Sequence, residues 1–233
     1  MKRLILLLDA DDTILDFNRA ETIAISKVLE RYDLLSYKDI VTNYKSINSQ
    51  VWSEYEKNII TREELAYIRF DRLFDMYDIK GIDSKKICEE YRLALANTPT
   101  TIYGVKKFLN SIYKKHNLYI ITNGIVHTQK TRFKLANLDK YFIDVFISES
   151  INMRKPDKEF FDYVKNNIAN YNNDIAYIIG DSLTSDILGG INSSIKTIWF
   201  NKKNKKKIPD IVPNYEVKSY DELNILLDKL SKD

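Results

Sequence analysis

The chain is poor in the residue types that mark disulfides and zinc sites. Its 233 residues include one cysteine, Cys88, and two histidines. A single cysteine excludes an intramolecular disulfide and fits a reducing compartment. Two histidines offer no credible zinc site. Cys88 lies in a helix-like run without a basic cluster around it, so we interpret it as a half-buried structural thiol.

Long apolar runs are also absent. No segment approaches the roughly 18 apolar residues of a membrane span. The run 4–8 follows two basic residues, like the start of a signal peptide, but it is too short and ends in acidic residues. We therefore expect a cytoplasmic protein that makes no contact with a membrane.

Neither sign of charge dominates. The formal net charge is +3, with 30% charged and 44% hydrophobic residues, which is ordinary for a soluble globular protein. So small an imbalance does not indicate nucleic acid or a membrane surface. A lysine-rich stretch from Lys202 to Lys207 could form a nucleic-acid-binding module. We favour a solvated loop, because lysine is abundant throughout the chain.

Several short apolar runs predict the fold. Each is continuous rather than alternating, as in parallel strands that are buried on both faces. Helical patterns lie between them, so we predict an α/β fold with a doubly wound parallel sheet. The predicted strands are residues 4–8, 118–122, 145–148, 176–180 and 197–200.

The interval 18–97 differs because it contains no convincing strand. An apolar stripe over residues 44–55 predicts one helix, and a capping box at 61–64 predicts the start of another. We therefore predict an α/β core of residues 1–17 and 98–233, with residues 18–97 forming a helical cap domain inserted after the first strand.

Two carboxylates follow the first predicted strand, in the segment Asp9-Ala10-Asp11-Asp12-Thr13. Ligands of open parallel sheets bind at the carboxyl ends of the strands, so Asp9 and Asp11 can point into one crevice. One carboxylate can attack phosphorus while the other donates and accepts a proton. Two such anions need a cation, and Mg²⁺ suits both carboxylates and phosphate. Taken alone, the segment could equally be an acidic solvated turn.

Three further signals follow in order along the chain. Thr122 and the backbone N–H of Asn123 can hold phosphate oxygens at a strand-to-helix turn. Lys155 can neutralise a carboxylate nucleophile and the transferred phosphoryl group. Asp181 ends a predicted strand and can ligate a metal. Asp186 can ligate the same metal, or it can orient the metal ligands without contacting the ion.

Each of these signals also has an ordinary structural interpretation. Residues 122–124 could be only a turn, and Lys155 only a surface lysine before a helix whose first turn would hold Pro156. Asp186 could be a favourable carboxylate at a helix start. The order, the spacing and the shared position at strand ends favour a single site.

At these residues the chain resembles the haloacid dehalogenase-like (HAD) hydrolase superfamily. The segment 9–13 resembles its first motif, Thr122 its second, Lys155 its third, and Asp181 with Asp186 its fourth. The helical insert resembles the family's first type of cap. More narrowly, the chain is similar to the pyrimidine 5′-nucleotidases of this superfamily, on the segments 121–124, 147–149, 155–156, 185–192 and 48–55.

The resemblance implies a phosphomonoester hydrolase acting on pyrimidine nucleoside monophosphates. Asp9 would form an aspartyl-phosphate, and Asp11 would protonate the leaving oxygen and then activate water. Thr122 and the Asn123 amide would bind phosphate oxygens, and Lys155 would screen charge.

The resemblance also implies Mg²⁺ as the cofactor. The Asp9 carboxylate, the Asp11 backbone carbonyl and Asp181 would hold the ion, with Asp186 supporting. Arg154, next to Lys155, could also contact phosphate.

Other enzymes of the superfamily remain as alternatives. A sugar-phosphate phosphatase or a phosphomutase would share every core motif. A haloalkanoate dehalogenase would not need Asp11, and a transport ATPase would need membrane spans. In the cap, Trp52 could stack on a base while Asn48 bonds its edge, but we favour packing within the cap for both. The sequence does not indicate an oligomeric state.

Overall fold

The computed structural model describes residues 2–232, which divide into two compact units. The first unit comprises the chain up to Asp16, Thr101–Val126 and the chain from Phe133 onward. The second comprises Phe17–Thr100 together with the short segment His127–Arg132. Periodicity in the sequence does not reveal the second segment of the helical unit.

Strands and helices alternate after an all-helical interval between the first two strands. The strands are β1 (Ile5–Asp9), β2 (Asn117–Thr122), β3 (Asp144–Ile147), β4 (Ala176–Gly180), β5 (Lys196–Phe200) and β6 (Tyr215–Val217). The helices are α1 (Phe17–Arg31), α2 (Ile40–Glu56), α3 (Arg62–Leu65), α4 (Ile68–Tyr77), α5 (Ser84–Ala96), α6 (Val105–Ile112), α7 (Val126–Leu135), α8 (Ser148–Ile151), α9 (Lys158–Asn166), α10 (Leu188–Asn192) and α11 (Tyr220–Leu230). None of the helices within residues 2–232 is both long and apolar enough to cross a membrane.

The first unit is built on one parallel sheet with the strand order β3-β2-β1-β4-β5-β6. The predicted α/β fold with a doubly wound parallel sheet is confirmed. The short edge strand β6 was not predicted, since its three residues form no apolar run. Strands β2 and β3 are added on one side of β1, and strands β4 to β6 on the other. The carboxyl end of β1 therefore lies at the topological switch point, where such sheets bind ligands.

Alternate residues of β1 enter two different hydrophobic cores. Leu6 and Leu8 pack into the core that contains residues of α6 and α11, and Ile5 and Leu7 pack into the core that contains residues of α9. Both faces of the strand are therefore buried, which is why the run reads as continuously apolar.

The second unit has its own aromatic core. The rings of Tyr44, Phe70 and Tyr91 lie with centroids 5.2 to 6.2 Å apart. The predicted helix over residues 44–55 is confirmed as part of α2. The predicted capping box at Thr61 is present, but the helix that it opens ends at Leu65, and α4 begins separately at Ile68.

Two local predictions have different outcomes. Cys88 is almost fully buried rather than half-buried as predicted, which fits a structural thiol, and burial raises the pKa of its sulfhydryl. The placement of Pro156 in the first turn of a helix was wrong. The chain turns there, because the N–H of Asp157 donates to the carbonyl of Arg154, and α9 begins only at Lys158.

His116 gives the core a predicted sensitivity to acid. The Leu4 N–H donates to its Nδ1 at 3.3 Å, and burial lowers the pKa of the imidazole. The folded state therefore favours the neutral ring, and stability should be lost as pH falls below about 6.5, the usual pKa of histidine. Urea unfolding at a series of pH values should show the free energy of unfolding falling over this range.

A His116→Asn variant keeps an acceptor but does not titrate, so its unfolding free energy should fall less over the same range. The control is His127→Asn, at an exposed position, which should follow the wild-type profile. Equal acid sensitivity in His116→Asn and the wild type would contradict the prediction.

Candidate active site

Three neighbouring strands of the first unit deliver polar side chains to one edge of the sheet. Asp9 is the last residue of β1, Thr122 is the last of β2, and Asp181 directly follows β4. Because β1 lies between β2 and β4, the three residues stand at the ends of adjacent strands. Thr122 is buried, and its Oγ1 accepts the Gly124 N–H at 3.1 Å.

The Lys155 ammonium joins these elements. Its Nζ donates to Asp9 Oδ1 at 2.6 Å, to Asp186 Oδ1 at 2.7 Å and to the Ile121 carbonyl at 3.1 Å. The side chain is 2% exposed, and its three protons have three acceptors. Burial opposes the charged form, but the two carboxylates outweigh it and raise the pKa of Lys155, so the ammonium stays charged.

The Asn123 side chain holds the backbone of Lys155. Its Nδ2 donates to the Lys155 carbonyl at 2.8 Å, and its Oδ1 accepts the Lys155 N–H at 2.9 Å. From the sequence we predicted only a backbone contact of Asn123 with phosphate, and this pairing of its side chain was not predicted. A residue so far along the chain cannot be identified as its partner from local sequence.

Asp186 is held by a turn as well as by Lys155. It lies in a wide helical turn, Leu183–Ile187, and its Oδ2 accepts the Ser182 N–H at 3.1 Å. A Cβ atom at Gly180 would overlap the Asp186 carboxylate. The residue before Asp181 must therefore be a glycine, a requirement that the Gly-Asp pair in the sequence did not reveal.

Three carboxylates form a group that could hold a metal ion. One oxygen each of Asp9, Asp181 and Asp186 lie within 4.8 Å of one another. Burial raises the pKa of Asp181 to about 6, although Lys205 opposes it, and burial also raises the pKa of Asp9 against the effect of Lys155. When all three are ionised, the carboxylates carry one more negative charge than Lys155 and Lys205 neutralise. Hard oxygen donors with surplus negative charge fit Mg²⁺.

Asp11 lies in the tight turn that follows β1. The Ala10 carbonyl accepts the N–H groups of Ile14 at 2.9 Å and Leu15 at 2.8 Å, and the Asp12 N–H donates to the Leu15 carbonyl at 2.7 Å. Asp12 takes the left-handed conformation, with φ of 58°. The predicted role of Asp11 as acid and base stays a prediction.

Two lysines from the stretch 202–207 also reach this edge of the sheet. Lys205 Nζ pairs with Asp181 Oδ2 at 2.5 Å, and Lys203 Nζ pairs with Asp12 Oδ2 at 2.6 Å. All four residues line one crevice of the first unit. From the sequence we predicted a solvated loop, and these ion pairs were not predicted, because lysine is abundant throughout the chain and a cluster of lysines is therefore not distinctive.

The predicted cap residues lie in the second unit. The Asn48 amide is buried, donating to Glu21 Oε1 and accepting from Arg69 Nη1, both at 2.6 Å. The half-buried Trp52 ring lies edge-on to Tyr55, with the Arg69 guanidinium 5.8 Å from its centroid. These contacts account for both residues within their own unit, and contact with a base stays a prediction.

Arg154 lies beside the site in sequence. Its Nε lies 3.6 Å from Asp157 Oδ2, within the turn that leads into α9. A contact of Arg154 with phosphate stays a prediction.

Residues 6–200 match the family model described as haloacid dehalogenase-like hydrolase. The chain is 37% identical to YfnB of Bacillus subtilis over 222 residues, which cover 95% of this chain and 94% of YfnB. A crystal structure of YfnB bound to magnesium has a TM-score of 0.92 and 36% identity, covering 98% of this chain and all of that one (100%).

Two pyrimidine 5′-nucleotidases are also similar. PynA of Streptococcus pneumoniae is 37% identical over 228 residues, which cover 96% of this chain and 94% of PynA. YjjG of Escherichia coli is 30% identical over 221 residues, which cover 95% of this chain and 96% of YjjG. The resemblance identified from the motifs is confirmed. With a matching family model over most of its length and relatives that align nearly end to end, this chain belongs to the haloacid dehalogenase-like hydrolase family.

Proposed function

We propose that this protein is a Mg²⁺-dependent phosphatase that forms an aspartyl-phosphate on Asp9, and that it acts on pyrimidine nucleoside monophosphates. The observation that carries the phosphatase proposal is the buried Lys155 ammonium, which donates to Asp9 beside a group of three carboxylates. This arrangement combines a fixed nucleophile with a fixed positive charge, as transfer of a phosphoryl group requires.

The Asp9 carboxylate has two oxygens with different tasks. Lys155 donates to Oδ1, which leaves Oδ2 for attack on phosphorus. As the bond from Asp9 to phosphorus forms, the bond from phosphorus to the ester oxygen breaks, and Asp11 gives this oxygen a proton. The positive charge of Lys155 stabilises the negative charge that develops on the phosphoryl oxygens.

The second step regenerates the enzyme. Asp11, now ionised, takes a proton from water, whose oxygen attacks phosphorus and releases Asp9 and inorganic phosphate. The Thr122 hydroxyl and the Asn123 N–H bind the phosphoryl oxygens in both steps. Splitting the displacement in two lowers each barrier.

The residues that would hold Mg²⁺ are Asp9, the Asp11 backbone carbonyl and Asp181, with Asp186 in support. The ion would neutralise charge on the phosphoryl oxygens. The group of Asp9, Asp181 and Asp186, with one oxygen of each within 4.8 Å of the others, supports this assignment, and so does the magnesium-bound structure of the relative YfnB.

Two further observations support the choice of reaction and substrate. Asp11 supplies an acid that displacement of a halide does not need, which favours a phosphate ester over a haloalkanoate. PynA and YjjG, both pyrimidine 5′-nucleotidases, align over nearly all of this chain. We therefore assign the pyrimidine nucleoside monophosphates as the substrate class.

Replacing Asp9 with Asn should remove phosphatase activity, by about 10³-fold or more, because the nucleophile is lost. The matched control is Asp12→Asn, since Asp12 has no assigned role in the chemistry and Asn also tolerates a positive φ. Phosphate release and circular dichroism of both variants test the prediction. Wild-type turnover in a folded Asp9→Asn protein would refute the mechanism.

Asn123→Ala should lower kcat by about 10- to 100-fold, the usual effect of losing a group that orients a catalytic residue. The physical reason is that both hydrogen bonds to the Lys155 backbone disappear. Asn167→Ala is the control, because its amide bonds only the Tyr163 carbonyl at an exposed helix end. Unchanged kcat in Asn123→Ala would show that Lys155 does not need this support.

A substrate panel tests the choice of substrate. With Mg²⁺, phosphate release from uridine and thymidine monophosphates should exceed release from hexose phosphates, and EDTA should abolish both. Faster release from hexose phosphates would indicate a sugar-phosphate phosphatase. Migration of phosphate without release would indicate a phosphomutase, and release that persists in EDTA would contradict the need for a metal.

A further inference from the structure

The lysine-rich stretch 202–207 is organised by the fold. Asn201, which directly precedes it, is buried, and its Oδ1 accepts the Lys205 N–H at 2.7 Å while its Nδ2 donates to the Lys205 carbonyl at 3.1 Å. The Asn201 Nδ2 also donates to Glu216 Oε1 at 2.8 Å. The backbone of Lys205 is therefore fixed beside β5 and β6.

The Lys205 side chain runs from this anchor to Asp181. Its Nζ contacts both the carboxylate Oδ2, at 2.5 Å, and the backbone carbonyl of Asp181, at 3.3 Å. The Trp199 Nε1 donates to the same carbonyl at 3.0 Å. Two groups of the segment 199–205 therefore bind Asp181. The nearer group, the Lys205 ammonium, places a full positive charge beside a proposed metal ligand.

We propose that Lys205 is an internal counter-ion of Asp181 that competes with Mg²⁺ for this carboxylate and thereby sets the metal affinity of the site. The proposal rests on the assignment of Asp181 as a metal ligand in the proposed function. Whether the ammonium leaves when the ion binds or stays on Oδ2, its charge opposes a divalent cation only a few ångström away. Removing this charge should therefore tighten binding.

The same pair has a second consequence in the metal-free protein. Asp9, Asp181 and Asp186 repel one another when ionised, and Lys155 pairs only with Asp9 and Asp186. Lys205 neutralises the third carboxylate. Without Lys205, the metal-free fold should be less stable, and the stabilisation by added Mg²⁺ should be larger.

The test is calorimetric titration of Mg²⁺ into the metal-free wild type and Lys205→Met, without substrate. Lys205→Met removes the charge and keeps an unbranched apolar side chain. Its dissociation constant should fall by about tenfold, the order expected when one charge near a divalent ion is lost at high effective dielectric. Because the effect is electrostatic, 0.5 M KCl should reduce the difference. Lys206→Met, at an exposed neighbouring position, should bind Mg²⁺ as the wild type does.

Thermal unfolding of the same proteins supplies a readout that does not depend on catalysis. Metal-free Lys205→Met should melt below the wild type and gain more from saturating Mg²⁺, and a Lys205→Gln variant should behave alike. Equal or weaker Mg²⁺ binding by folded Lys205→Met and Lys205→Gln would overturn the proposal while leaving the proposed function intact. Absence of Mg²⁺ binding in every protein would count against the metal assignment and against this proposal together.

Discussion

The Lys155 ammonium between Asp9 and Asp186 is the interaction on which the site depends. All three side chains are buried, and a buried charge is tolerated only when partners of opposite sign compensate it. Loss of the ammonium would leave two carboxylates close together in a site of low dielectric, and they could not both stay ionised. The surroundings follow from this constraint: Asn123 holds the Lys155 backbone, and Gly180 leaves room for the Asp186 carboxylate.

The sheet supplies the rigid base for this arrangement. β1 is central, and its neighbours β2 and β4 end at the same edge, so residues more than a hundred positions apart meet without a long loop. Helices cover both faces of β1, which excludes water beneath Asp9 and strengthens its interaction with Lys155. Packing of ordinary apolar residues thus makes the electrostatics of the site strong.

Two kinds of positive group balance the negative charge of the carboxylates in the site. Lys155 is buried and has no proton to spare, so it is a permanent part of the site. Lys205 extends from a loop, is far more exposed than Lys155 and pairs with Asp181. A cation held by the three carboxylates would bring the remaining positive charge. A buried positive charge therefore lies beside Asp9, and an exposed positive charge lies beside Asp181.

The strands were predictable because a strand buried on both faces leaves a continuous apolar run. The meeting of Asp9, Lys155, Asp181 and Asp186 at one edge of the sheet was predictable, because these residue types stand in a recognisable order at or beyond the strand ends. Their roles as nucleophile, lysine partner and metal ligands, and that of Asp11 as second acid, stay predictions. Local pattern could not give the partner of the Asn123 side chain, the need for Gly180, the short strand β6 or the ion pairs of Lys203 and Lys205. The sequence by itself determined which residue types stand at the strand ends. Only the tertiary structure decided which charges pair, because pairing depends on distances between segments that are remote along the chain.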